Sequence, residues 1–204
     1  MFDNRRKRGL IIGSILGDGF IYKRTSKQSD YIRYTMGITH SEKQLEYLKW
    51  KHNLLSNCFQ TPMGKIYSYT RGKHTLFETK KVDKYLRIIY KRMYRNSKKT
   101  YTKQILQYLT PEAIAIWYMD DGACYYKKDS KTGKIKSIEV VISTYCSLEE
   151  AERIIKYFQD TYSIQWKLKK NKGFYCIRMS KKESVKFFDL IKPYMHKSMM
   201  YKIK

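Results

Sequence analysis

Two carboxylates at matched points of the chain carry its strongest chemical signal. "LGDGFIYK" at 16–23 and "MDDGACYY" at 119–126 each end an apolar run with an Asp-Gly step that leads into an aromatic, basic stretch. Such a run reads as a helix, whose C-terminus already carries partial negative charge from unpaired carbonyls. A carboxylate there costs about 0.3–1 kcal/mol. As a bare turn signal the step accounts for Gly19 and Gly122, yet asparagine or serine would precede glycine equally well. A divalent cation makes the same concentration of oxygens favourable. Hard donors without histidine or cysteine select Mg²⁺, with Mn²⁺ able to substitute. Held against DNA by Asp18 and Asp121, such a cation would activate water and neutralise a leaving oxygen, the requirements of phosphodiester hydrolysis.

The elements that must position these acids are written twice. Residues 9–17 predict a short apolar helix, and 19–25 and 31–40 two strands. Ser41 caps a helix over 42–57, residues 65–80 form a hairpin turning at Arg71-Gly72, and 82–94 form a further helix. Thr110-Pro111-Glu112 then starts a helix that runs to Met119, with an N-cap hydroxyl and a first-turn proline. Strands at 123–128 and 136–144, a helix capped by Ser147, a hairpin over 164–180 and a closing helix repeat the order. Asp18 and Asp121 lie 103 positions apart, and so do Lys99 and Lys202. Equal offsets of this kind indicate an internal duplication. The expected division is 1–94, a linker at 95–109, and 110–204.

Composition narrows the partner. Forty-three Lys+Arg against 18 Asp+Glu leave a formal charge of +25, which points to a polyanion. No apolar run reaches the roughly 18–20 residues needed to span a bilayer. The basic, apolar start is broken by Gly13, Ser14 and Gly17 and lacks a cleavage site, so export is not expected. Cys58, Cys124, Cys146 and Cys176 form no CxxC pair, which fits neither zinc nor a disulfide framework and suits a reducing compartment.

With these residues in view, "IIGSILGDG" at 11–19 and "IAIWYMDDG" at 114–122 resemble the two motifs of the LAGLIDADG homing endonucleases, in their single-chain, intron-encoded form. "LTPEAIAIWYMDDG" and "LIKPYMHKSMMYK" extend the resemblance over essentially the whole chain. It implies an α+β fold of two pseudo-twofold αββαββα repeats, each with a four-stranded antiparallel DNA-binding sheet, and with the motif helices packed at the centre. It also implies that Asp18 and Asp121 are the metal-binding catalytic acids and that Gly17 and Asp120 lend backbone carbonyls to the metal. Lys99 and Lys202 would be the basic residues that support the site, orienting water or stabilising phosphate charge, with Lys98 a rival to Lys99. Close crossing of the motif helices needs small residues, which Gly13 and Gly17 supply; Ile116 and Asp120 do not, so asymmetric packing is expected.

The outward faces of the strands follow from alternation. With Ile32, Met36 and Ile38 inward, Tyr31, Arg33, Thr35 and Thr39 face out; Lys23 and Arg24 join them from the preceding strand. Lys65, Tyr67, Tyr69 and Arg71 share a second strand face, with Lys73 beyond the turn. In the second repeat Gln165, Lys167, Lys169, Arg178 and Lys127 form the outward set. A two-stranded ribbon fits a major groove, where arginine reads guanine and glutamine reads adenine. The expectation is a monomeric Mg²⁺-dependent endonuclease cutting both strands of a long, asymmetric duplex site in a reducing, DNA-containing compartment: an organelle matrix, or bacterial or phage-infected cytoplasm. An intron RNA maturase and a non-catalytic DNA-binding regulator are the alternatives.

Overall fold

A computed structural model of the chain describes residues 3–25, 32–59, 63–69, 74–78 and 84–203. The first series is α1 (Asn4–Leu16), β1 (Gly19–Thr25), β2 (Ile32–Ser41), α2 (Leu45–Ser56), β3 (Tyr67–Tyr69), β4 (His74–Glu78) and α3 (Lys84–Met93). A small hairpin of β5 (Tyr94–Arg95) and β6 (Lys98–Lys99), and one helical turn, α4 (Lys103–Leu106), lead to the second. That series runs α5 (Pro111–Asp121), β7 (Gly122–Lys128), β8 (Ile135–Cys146), α6 (Leu148–Tyr162), β9 (Lys167–Asn171), β10 (Phe174–Ser180) and α7 (Lys181–Ile191), and closes in 3₁₀ turns to Ile203. Each series builds one antiparallel sheet, ordered β1-β2-β4-β3 and β7-β8-β10-β9. The duplicated α+β order is therefore the observed one.

Local chemistry fixes where the helices start. The Asp3 side chain accepts the Arg6 N–H at 2.9 Å, so α1 begins several residues before its apolar run. Thr110 accepts the Ala113 N–H at 3.2 Å ahead of Pro111. Ser147 caps α6, as the sequence predicts, and Glu150 returns a bond to the Ser147 backbone N–H. Ser41 differs: it makes no side-chain cap bond, because the 3₁₀ turn Glu42–Gln44 separates it from α2.

The centre of the molecule is the contact of α1 with α5. From Ala113 to Met119 every residue of α5 is fully buried, which explains why its sequence is apolar on all sides. Gly13 faces the α5 backbone directly. A Cβ on it would stand 2.4 Å from the Ala113 carbonyl oxygen. Gly17 receives the Asp120 side chain, whose Oδ2 would be 2.3 Å from a Cβ there. The expected asymmetry is thus real, with Ala113, not Ile116, seated against Gly13. At the opposite end of the pair Arg6 clamps Glu112 through two bonds of 2.7 and 2.8 Å.

Alternation in β2 holds for Tyr34, Met36, Ile38 and His40, which are buried. Two expectations fail. Ile32, at the strand's end, is 38 % exposed, and Thr35, assigned outward, is buried. The reason lies in β1, where Phe20 pairs with Gly37 and Tyr22 with Thr35. Their rings meet edge to face at 4.5 Å and roof that part of the outer surface. Among the described residues no helix is long and apolar enough to cross a membrane.

The close crossing generates a stability prediction. Gly13→Ala would raise helix propensity, but its methyl must push against fixed backbone. It is expected to destabilise by about 1–3 kcal/mol and lower the melting temperature by roughly 3–10 °C in calorimetry.

Candidate functional site

The two predicted acids emerge at the same end of the central helices. α1 stops at Leu16 with Gly17 as its C-cap, so Asp18 lies just past the helix, whereas Asp121 is the last residue of α5. Burial first, and then the charge of Asp120, push the Asp18 carboxyl up to about 6. Burial, Asp120 and Asp18 push Asp121 up to about 7. These are acids held with too little positive charge around them.

Two lysines converge on the same helix ends. Asn96 and Ser97 have φ of 47° and 62°, the left-handed pair of a tight hairpin turn, and that turn aims Lys99 inward. Its Nζ donates to the Gly17 carbonyl at 2.8 Å. Lys98, the rival, is exposed on the other side of the ribbon. Lys202 is anchored by the Tyr118 hydroxyl, which donates to its carbonyl at 2.8 Å. The Lys202 Nζ donates to the Met119 carbonyl at 2.6 Å and the Asp120 carbonyl at 3.0 Å. Burial lowers the pKa of both lysines, with the acids pulling the other way. A cleft of about 910 Å³ opens here, lined by Gly17, Lys99, Asp121, Tyr145 and Phe174 among others.

The carbonyls of Gly17 and Asp120 face lysine ammonium groups in this structure, and the Asp120 side chain is not free to bind a cation. Asp18, His40 and Asp120 do bring one ligand atom each to within 4.8 Å of one another. However, both Asp120 oxygens lie 2.7 Å from the fully buried Lys51 Nζ. Tyr47 donates to Asp120 Oδ1 at 2.8 Å, and the Asp18 N–H donates to Oδ2 at 3.1 Å. Lys51 Nζ also reaches His40 Nε2 at 3.2 Å, and His40 Nδ1 stands 3.3 Å from Asp18 Oδ2. Burial, then Lys51, drive His40 down to about 4, so its ring is neutral at pH 7. What remains for an added cation is the Asp18 and Asp121 carboxylates, underneutralised hard oxygens with nearby carbonyls. That donor set fits a divalent ion of the Mg²⁺ type.

Sequence reasoning missed His40, Tyr47 and Lys51, although two of them leave a trace. Lys51 occupies the apolar stripe of α2 between Leu48 and Leu55, and His40 continues the buried face of β2. A charge at such a position requires a buried partner.

The sheets sort the remaining candidates. Arg33, Thr39 and Arg24 lie on the outer face of β1-β2 by register, and the Arg24 guanidinium sits 5.0 Å over the Tyr22 ring. Lys23 pairs with Tyr34, which puts it on the helix-covered side, at its exposed end. Tyr67 is exposed in β3, while Lys65 precedes that strand. In the second sheet Lys127, Lys167, Lys169 and Arg178 share the outer face. There Glu139 holds Lys169 at 2.8 Å and Arg178 at 3.3 Å. Gln165 was expected within the strand, but β9 starts at Lys167; its N–H donates to Glu183. Tyr31, Arg71, Lys73 and the Tyr69 side chain lie outside the described residues.

The family model described as the LAGLIDADG DNA endonuclease family matches residues 8–187. A protein RecA from Mycolicibacterium flavescens is 30 % identical over 200 residues, 95 % of this chain and 45 % of that protein. The chain thus spans less than half the length of that relative. The cytochrome b mRNA maturase bI2 of Debaryomyces hansenii is 27 % identical over 95 % of this chain and 72 % of its own length. Among solved structures, the homing endonuclease I-WcaI bound to its DNA recognition sequence matches with a TM-score of 0.74 at 22 % identity, over 98 % of this chain and 87 % of that one. At that identity the likeness establishes the fold.

The raised carboxyls set a stability prediction. Asp121 binds its proton more tightly folded than unfolded, so its contribution is complete below about 4 and lost as pH rises through about 7. In chelator-treated buffer at pH 8, Asp121→Asn is therefore expected to melt roughly 2–4 °C above the unsubstituted chain. The gap should close at pH 4, as followed by circular dichroism.

Proposed function

The chain belongs to the LAGLIDADG DNA endonuclease family, and from that premise we propose that it is a Mg²⁺-dependent endonuclease that cuts both strands of a long, asymmetric duplex site. The observation that carries the reading is the convergence of Asp18 and Asp121 with Lys99 and Lys202 at one end of the helix pair, Lys99 on the Gly17 carbonyl that ends α1 and Lys202 on the Met119 and Asp120 carbonyls that end α5. Asp18 and Asp121 would hold the divalent cation. When bound, that ion supplies a nucleophile at neutral pH and charge stabilisation for the leaving oxygen. The protein's own part is positioning. Lys99 and Lys202, as hydrogen-bond donors, would orient water and meet the developing charge on phosphate. Their anchorage through the Asn96-Ser97 turn and the Tyr118 hydroxyl limits their motion.

Two sheets with basic outer faces support binding of duplex DNA by a monomer, half a site per sheet. Residues 1–94 and 110–204 would be the two halves, with 95–109 joining them. Arg24, Arg33 and Arg178 are the best placed for base edges; the many other lysines suit phosphates. Four unpaired cysteines suit a reducing compartment. A second reading, intron RNA splicing, has one observation behind it: the similarity to a maturase over 95 % of the chain.

The decisive experiment uses a plasmid carrying the uninterrupted sequence that flanks the reading frame. Mg²⁺-dependent linearisation is expected. Asp18→Asn or Asp121→Asn should reduce it by at least about 1,000-fold, while affinity in gel shifts changes less than threefold. Mutants that cut normally would remove the mechanism, and splicing stimulated by the inactive double mutant would favour the maturase. If ~8 phosphates are neutralised, log K should fall with log salt at a slope of about −7.

A further inference from the structure

We propose that His40 is a positioning residue acting on Asp18 alone, so that its loss slows cleavage of one strand of the duplex and spares the other; the inference rests on the endonuclease reading. The argument begins with donors and acceptors. Lys51 has hydrogens to give and no lone pair to offer, and its Nζ stands 3.2 Å from His40 Nε2. Nε2 must then accept, and the ring's hydrogen sits on Nδ1. That nitrogen is hydrogen-bonded to Gln44 Oε1 at 3.4 Å and stands 3.3 Å from Asp18 Oδ2, a close polar contact behind the carboxylate. Lys51 is itself fixed by both oxygens of Asp120 and stands 4.7 Å over the Tyr47 ring. A buried chain of contacts therefore runs from Asp120 through Lys51 and His40 to the Asp18 carboxylate. Asp120 also holds the Asp18 N–H, so both ends of that residue are tied to one cage.

Asp121 has no such support. Gly19 pairs with Ile38 and Gly122 with Ile142, so the residue at the His40 position of the second half is Thr144. Its hydroxyl donates to the Tyr175 carbonyl at 2.9 Å. The inner face of α6, where α2 carries Lys51, is Ala151, Ile154 and Phe158. The residue matching Asp120 in the first motif is Gly17, with nothing to reach back. One acid is held from behind and the other is not.

The test follows each strand separately, on a duplex of the uninterrupted flanking sequence with a different fluorophore on each strand. Lys51→Met would orphan a buried carboxylate and endanger folding, so His40→Ala and His40→Gln carry the experiment. The alanine variant is expected to slow one strand's cleavage roughly 10–100-fold while the other changes less than twofold, with a folded circular-dichroism spectrum and target affinity retained at the assay temperature. His40→Gln, which keeps an N–H to offer, should restore most of the lost rate. Equal slowing of both strands, no slowing, or failure of glutamine to rescue would overturn the proposal. An unsubstituted chain that cuts neither strand would instead refute the endonuclease reading, and this inference with it.

Discussion

A carboxylate with no access to water must be neutralised where it stands, and Asp120 imposes that condition on everything near it. It lies inward in the hollow that Gly17 leaves in the facing helix. Once inside, it needs a cation, which α2 supplies as Lys51, and hydrogen bonds, which come from Tyr47 and the Asp18 backbone. Burying such a pair is not a cheap route to stability. Its structural yield is orientation: it locks the end of α1 to the end of α5, beside the two acids that are left with partial access to solvent.

The same logic separates the acids by environment. Asp120 is fully paired inside, while at the same helix ends burial and the charge of Asp120 resist ionisation of Asp18 and Asp121. Lys99 and Lys202 touch helix-end carbonyls and not these carboxylates. An electrostatic deficit is thereby kept at one point and relieved at its neighbour, the arrangement a hard cation can exploit.

Much of this was legible beforehand. The paired Asp-Gly steps, the equal offsets and the capping residues Thr110 and Ser147 located the duplication, the helices and the two acids. The choice between Lys98 and Lys99 was not legible, because it depends on which side of a two-residue hairpin each falls. Thr35 was misassigned because period-two alternation cannot reveal that Phe20 and Tyr22 fold across the outer face. The Asp120 cage was hidden for a different reason. Lysine is abundant enough here that one more on α2 attracts no notice, although its place between Leu48 and Leu55 breaks the stripe. The partner that explains it is 69 residues away.

The cage straddles the seam between the repeats, and that has a consequence for how the molecule could have arisen or be re-engineered. A symmetrical dimer of the first repeat would enclose two ammonium groups with no acid to meet them; a dimer of the second would set two carboxylates face to face. The copies have ceased to be interchangeable parts. Any chimera that grafts one repeat onto a foreign mate must bring both members of the pair along or erase both together.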